Sequence, residues 1–225
     1  DIIFKNTALV LSSFVAIILL GIILVVFFQS FESFSRYGLK FLVTSEWNPV
    51  KDEYGALTAI YGTLVTSFLS LLITIPLGVG TAIFITEDFV PKVAREIIGS
   101  FVELLAAIPS VVLGLWAIFV MEPFFRAFFV FLHNFFGWIP LFSTEPTGRN
   151  SLLAILILVV MLLPIVTSIA RDSLNQVPKK LRNAAYGIGA SRWKTIFSVI
   201  LPAALSGIMA GVLLALGRAM GETMA

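Results

Sequence analysis

Long apolar runs alternate with short polar segments along the chain. The first run covers residues 8–28, and about twenty residues at about 1.5 Å each are enough to cross the hydrocarbon core of a bilayer. Three more complete runs cover residues 60–86, 97–120 and 151–170. A fifth begins near residue 202 and continues to the end of the sequence. Since these runs are apolar on every face, the pattern predicts an all-α membrane protein, a polytopic transmembrane helix bundle with about five spans.

The segment at residues 124–142 fits this pattern poorly. It is rich in phenylalanine but contains Arg126, His133 and Asn134, and ionisable side chains are costly inside the hydrocarbon core. We therefore predict an interfacial or partly inserted segment here. His133 is better explained as an interfacial residue than as a metal ligand, and no metal site is predicted.

The composition agrees with a protein that is solvated by lipid. Of the 225 residues, 59% are hydrophobic and only 12% are charged, about half the charged fraction of ordinary soluble domains. The chain has no cysteine, which excludes disulfides, thiolate metal sites and cysteine nucleophiles. A net charge of +2 is too small to indicate a nucleic-acid surface, so membrane lipid, and no nucleic acid, is expected around the chain.

Lysine and arginine are concentrated in one loop, between residues 171 and 194. Because such residues are retained on the cytoplasmic side, this loop is predicted to be cytoplasmic. Alternating through the membrane then places residues 87–96 and the N-terminus on the same side, and residues 29–59 and 122–150 outside. The N-terminal part of the chain is therefore predicted to consist of one spanning helix and an external loop.

The basic loop also has the pattern of two helices joined by a glycine turn. Pro178 and Gly189 bracket a short segment, and Gly189 suits a left-handed residue that closes one helix before the next begins. A soluble partner protein could bind such a protruding pair of helices. On charge alone, a loop that only fixes the topology is the simpler interpretation.

The same loop resembles the coupling motif of bacterial ABC importer permeases, E-A-A-x-x-x-G followed after nine residues by I-x-L-P. Asn183 replaces the usual glutamate and Val199 the usual isoleucine. The positions that match are Ala184, Ala185, Gly189, Leu201 and Pro202. The resemblance implies a permease core at residues 60–225 that follows an N-terminal part at residues 1–59. Within that core the coupling loop, about residues 171–202, is expected to dock onto an ATPase subunit.

The last apolar run carries two charges, Arg218 and Glu222. Burying either alone would cost at least about 2.5 kcal/mol, so both are expected to face the bundle interior or water. Residues four apart share a helix face. A guanidinium fork matches the oxygens of a tetrahedral oxyanion, and a nearby carboxylate could accept a hydrogen bond from protonated phosphate. A structural ion pair that merely neutralises both charges explains the pattern equally well.

The sequence around these charges resembles oxyanion permeases, and in particular phosphate permeases of the PstC type. The resemblance is carried by residues 54–57, 60–68, 103–110, 185–189 and 217–225. It implies a permease of an ATP-driven phosphate importer with Arg218 and Glu222 on the phosphate path. Glu103 is a further candidate for the path, although a glutamate near the cytoplasmic end of its run could simply contact solvent.

The family also implies an assembly in the bacterial cytoplasmic membrane. Its permeases have six spans, and they work with a second permease subunit (PstA type), two copies of an ATPase subunit (PstB type) and an external phosphate-binding protein (PstS type). No G-x-x-x-x-G-K-[ST] motif occurs in the chain, so the protein is expected not to be an enzyme and to hold no cofactor, with Mg-ATP on the ATPase partner. Two alternatives stay open: a permease for sulfate, molybdate or tungstate, and a membrane sensor or scaffold for phosphate status.

Overall fold

The structure is a computed structural model of the chain that describes residues 2–87, 89–139, 142–143, 145 and 150–222. Its contacts divide the chain into two compact units, residues 1–61 and residues 62–225. The functional division predicted at residues 59 and 60 stays a prediction.

The first unit begins with α1, Ile2–Tyr37, followed by the short helix α2, Lys40–Val43. A small antiparallel hairpin follows, with β1 at Trp47–Asn48 and β2 at Glu53–Tyr54. The predicted first span lies within α1, but residues 29–37, which the sequence placed in a loop, continue the helix. The helix ends where Gly38 takes a positive φ of 62° and donates its N–H to Phe34 O at 2.9 Å, a left-handed closure that glycine permits.

Eight further helices follow in the described part of the chain. They are α3 (Leu57–Thr86), α4 (Lys92–Ala107), α5 (Ser110–Trp116), α6 (Glu122–Phe136), α7 (Ser151–Asn175), α8 (Lys179–Gly187), α9 (Arg192–Thr195) and α10 (Leu201–Gly221). Two π-helical turns, Ala117–Met121 and Ile196–Ile200, make α5 continuous with α6 and α9 continuous with α10. Pro76 lies inside α3 without ending it.

Five of the described helical segments are long and apolar enough to cross a membrane, which confirms the predicted helix bundle. They are Ile3–Tyr37, Leu57–Thr86, Ser110–Phe136, Ser151–Asn175 and Arg192–Gly221. The fourth of these, α7, is the most enclosed: 56% of its most apolar 18-residue stretch is buried inside the unit.

The third predicted run, residues 97–120, was placed wrongly. Ile108 is extended at ψ 127°, the conformation favoured before a proline, so the helix breaks at Pro109. The segment before this break is α4, which carries charged residues on one face, whereas the spanning segment begins at residue 110. It therefore includes most of residues 124–142, predicted to be interfacial, of which 140 and 141 lie outside the described residues.

The core of the second unit is built around α7. Its middle packs against α3 and α10 through one cluster of buried residues: Leu71, Leu162, Val166, Ala215 and Ala219. Its last turns pack against the end of α3 and the second π turn through another cluster: Ala82, Ile83, Ala170, Leu174, Val177, Ile196, Ile200, Ala204 and Ile208. The elements that carry the coupling loop are thus joined directly to the spanning helices.

Candidate functional site

Arg218 lies in the last turn of α10, level with the middle of α3 and of α7. It follows Pro202 by sixteen residues, which corresponds to about 24 Å along a helix. The next residue, Ala219, is 3% exposed and packs in the cluster that contains Leu71 and Leu162, near the middle of α3 and of α7. Transporters commonly hold their ligands near the bilayer midplane, so the depth of Arg218 suits a residue of the transport path.

The side chain of Arg218 lies on the side of α10 that does not pack against α7. The positions buried on that helix include Gly211, Ala215 and Ala219, whereas Arg218 is exposed. A charge that faced lipid at this depth would be costly, by at least about 2.5 kcal/mol. The exposed side of α10 is therefore expected to meet water or a polar partner surface.

Glu222 comes directly after the last turn of α10, four residues after Arg218. The helix ends at Gly221, and Glu222 follows in an extended conformation with φ −75° and ψ 119°. That both side chains reach one ligand stays a prediction, and the last three residues of the motif, 223–225, lie outside the described residues.

Glu103 belongs to a different part of the unit than the sequence predicted. It lies on α4, not in a spanning run, and its side chain is 67% exposed. Its Oε1 is 3.4 Å from Nη1 of Arg171, whose Nε is 3.6 Å from Oδ1 of Asp172. Among the described contacts of Glu103, none reaches Arg218 or Glu222.

A cavity of about 450 Å³ is lined by Glu103 and Arg171. Its charged lining also includes Lys92, Arg95 and Glu96. The cations are partly compensated, since Glu103 contacts Arg171 and Lys92 Nζ lies 3.8 Å from Glu96 Oε1. The cavity opens beside the ends of α3, α4 and α7, where the coupling loop begins.

The coupling loop folds as the predicted pair of helices joined by a glycine turn. Gly189 has a φ of 82°, and its N–H donates to Tyr186 O at 2.9 Å while Ala190 N–H donates to Ala185 O at 3.0 Å. These two bonds form a Schellman closure of α8. Ser191 then caps α9 by accepting from the N–H of Lys194 at 3.4 Å, so the turn holds both helices in a defined geometry.

The residues of the coupling motif divide between an exposed side and a buried side. Asn183, Ala184 and Gly189 are exposed, whereas Ala185 is 6% exposed. Leu201 packs against the buried cluster at the end of α7. Pro202 lies in the first turn of α10, directly after the π-helical turn at Ile196–Ile200.

One buried ion pair of this region was not predicted. Arg182 of α8 pairs with Glu87 after α3, and its Nη2 donates to Leu174 O at 2.8 Å. The side chains are 17% and 8% exposed. The sequence marked Glu87 only as part of a short charged stretch. Because 95 residues separate the partners, no helical spacing could have joined them.

His133, predicted to be an interfacial residue, contacts the backbone. Its Nδ1 is 2.7 Å from the carbonyl oxygen of Phe142. Within the described part of the chain, no group of three or more histidine, aspartate or glutamate side chains is arranged to hold a metal ion.

Comparison with known proteins places these features in one family. The model of the family described as "Binding-protein-dependent transport system inner membrane component" matches residues 74–225. All of the chain aligns at 43% identity with 70% of the phosphate transport system permease protein PstC of Mesorhizobium japonicum. It also aligns at 40% identity with 72% of the same-named protein of Pasteurella multocida.

A solved structure has a similar fold. It is the MetNI methionine ABC transporter in an inward-facing conformation, with a TM-score of 0.52 and 20% identity over 74% of this chain and 68% of that chain. At this identity the likeness concerns the fold alone.

Proposed function

Because the chain belongs to the family of binding-protein-dependent transport system inner membrane components, we propose that it is the transmembrane permease subunit of an ATP-driven phosphate importer. The observation that carries the proposal is the alignment of the whole chain with phosphate permeases at about 40% identity. A permease provides the path for the substrate. The chemistry of ATP hydrolysis belongs to another subunit.

We infer that Arg218 and Glu222 line this path. The exposed guanidinium of Arg218 at mid-bundle depth can donate two parallel hydrogen bonds to phosphate oxygens. Glu222, just beyond the end of the helix, can accept a hydrogen bond from a phosphate that retains a proton. A fully deprotonated sulfate offers no such donor, so this pair would favour phosphate over sulfate.

Glu103 has a different place on the proposed path. It borders the cavity of about 450 Å³ with Arg171 near the coupling loop, where an anion would leave toward the cytoplasm. A carboxylate there does not bind an anion directly. Its proposed role is to compensate Arg171, so that the cavity does not retain the phosphate that passes.

The exposed side of α8, with Asn183 and Ala184, is the proposed contact with the ATPase. In the proposed assembly this chain pairs with a second permease subunit, and two copies of the ATPase subunit carry Mg-ATP. An external phosphate-binding protein delivers the anion. Closure of the ATPase pair moves the coupling loops, and the permease pair opens outward to receive phosphate.

The chain is a multi-pass protein of the inner membrane. We propose that the coupling loop and the N-terminus face the cytoplasm, because the loop holds the highest density of lysine and arginine. The hairpin at Trp47–Tyr54 would then be external.

The proposed function is tested by phosphate uptake in cells that lack their own importer but contain the partner subunits. We expect uptake of radiolabelled phosphate on expression of the chain, with little competition from a tenfold excess of sulfate or molybdate. Uptake of sulfate without phosphate would overturn the substrate assignment. Unchanged phosphate uptake after expression, with the protein present in the membrane, would contradict transport itself.

A further inference from the structure

The guanidinium of Arg182 joins three elements of the second unit. It belongs to α8, pairs with the carboxylate of Glu87 after α3, and donates to the carbonyl of Leu174 in α7 at 2.8 Å. Both charged side chains are largely buried, at 17% and 8% exposure. A guanidinium is a rigid fork, so two bonds made to two different elements fix the position of α8 with respect to both.

The glutamate of this pair is itself held firmly. Its N–H donates to Ile83 O at 2.8 Å, which continues the last turn of α3. Ile83 is buried in the cluster with Leu174 and Ile196. The carboxylate therefore moves with the end of α3, and a buried pair of this kind is strongly unfavourable to break, because each partner would leave the other as an uncompensated charge.

A second contact ties the other helix of the coupling loop to the same place. Phe89, two residues after Glu87, stacks on Trp193 of α9 with ring centroids 4.9 Å apart. The guanidinium of Arg192 lies 5.8 Å from the centroid of the same phenylalanine ring. Both α8 and α9 thus contact the segment that leaves α3.

The middle of α3 packs against α10, the helix that carries Arg218 of the proposed anion path. Leu71, in the middle of α3, packs in one cluster with Ala215 and Ala219 of α10, and Ala219 is adjacent to Arg218. A displacement of α3 that is imposed at Glu87 would therefore reach the helix that carries the arginine, since close-packed interiors transmit strain.

We propose that the ion pair between Glu87 and Arg182 is a latch that makes α8 move together with α3, and so couples ATP hydrolysis to the opening of the anion path. The inference rests on the proposed function. Arg182 and Glu87 are positioning residues in this account. They touch neither phosphate nor ATP, and the exposed neighbours Asn183 and Ala184 make the contact with the ATPase.

The latch is tested in the complete transporter, reconstituted in lipid vesicles, by measuring ATP hydrolysis and phosphate uptake in the same sample. In Glu87→Gln and Arg182→Gln we expect the ATP hydrolysed per phosphate transported to rise about tenfold or more, because the ATPase motion no longer reaches α3. A residue that only supported the fold would lower both activities in proportion and leave this ratio unchanged. Asp52→Asn, which weakens the exposed ion pair with Arg36, is the matched control and should keep the ratio of the unaltered protein.

A reversible chemical cross-link between the two positions tests the proposal if the glutamine variants do not assemble. The chain has no cysteine, so Glu87→Cys with Arg182→Cys introduces its only two thiols. With cysteine-free partner subunits, a short bifunctional thiol reagent that spans the two positions should restore the ratio, and reduction should abolish it again. Cysteine pairs left uncross-linked should resemble the glutamine variants.

An unchanged ratio in the assembled glutamine variants, or in the uncross-linked cysteine pair, would overturn the latch. In that case phosphate uptake by the unaltered transporter would still stand. Absence of phosphate uptake by the unaltered transporter would instead count against the proposed function, so the two failures are distinguishable.

Discussion

Arg218 is the residue on which the proposed selectivity depends most. We expect Arg218→Gln to lower phosphate uptake about 10- to 100-fold, because hydrogen bonds to a charged group contribute about 1.5–3 kcal/mol. Uptake by Arg218→Lys should lie between that of the unaltered protein and that of Arg218→Gln, since an ammonium keeps the charge but lacks the two parallel N–H donors of a guanidinium. The measurement is initial uptake rate at equal amounts of assembled complex.

The control for this substitution is Arg36→Gln. Arg36 pairs with Asp52, but both side chains are exposed, at 63% and 49%, and exposed pairs contribute little. Uptake should stay close to that of the unaltered protein. Equal uptake by Arg218→Gln and Arg36→Gln would remove Arg218 from the path.

Gly189 is a second residue whose role follows from its backbone. Its φ of 82° is unfavourable for any residue with a Cβ, by about 1–2 kcal/mol. We expect Gly189→Ala to distort the turn between α8 and α9 and to lower the amount of ATPase subunit that copurifies with the chain several-fold. Gly187→Ala, at a helical glycine with open space around it, should copurify normally, and equal loss in both variants would refute this explanation.

The packing of α3 against α7 has a matched pair of glycines for its test. A Cβ at Gly78 would lie 2.9 Å from Cγ1 of Val166, which is buried at 1% exposure. A Cβ at Gly80 meets nothing within 4 Å. We expect Gly78→Ala to cost about 1–3 kcal/mol through overpacking and to lower the unfolding temperature in detergent by at least about 2 °C.

Gly80→Ala should leave the unfolding temperature equal or slightly higher, because alanine favours a helix over glycine by about 1 kcal/mol. The comparison therefore isolates the contact with α7 from helix propensity. A stable Gly78→Ala variant would mean that α3 and α7 pack less closely than the structure indicates.

The sequence predicted these elements unequally well. Four spanning helices were predicted correctly because a helix exposed to lipid requires a long apolar run. The helix pair of the coupling loop was predicted because the turn between its helices requires a glycine in the left-handed conformation. The boundary of the third span was missed because Ile97 and its neighbours are apolar enough to resemble a span. The break at Pro109 and the charged face of α4 decide the structure there.

The candidate site shows the same limit at longer range. Arg218 is a candidate because of the cost of a charge in an apolar run, a property of one segment. The bond between Arg182 and Glu87 was not found, since it depends on how the end of α3 meets α8. The role of Glu222 beside Arg218 stays a prediction, since Glu222 caps the end of the helix that carries the arginine.

The proposed orientation of the chain rests on its charge distribution, and it can be measured because the chain has no cysteine. We expect Lys51→Cys to react with a membrane-impermeant thiol reagent in intact cells. Lys180→Cys, in the coupling loop, should react only after permeabilisation. The reverse pattern would contradict the proposed topology.

ATP-driven phosphate accumulation in vesicles that contain the complete purified transporter tests the central claim most directly. The vesicles should hold the chain with its permease and ATPase partners, with the binding protein on the outside and ATP within. The account predicts accumulation of phosphate that requires ATP and is lost in Arg218→Gln. Accumulation of sulfate without phosphate, or phosphate entry that is indifferent to ATP, would contradict it.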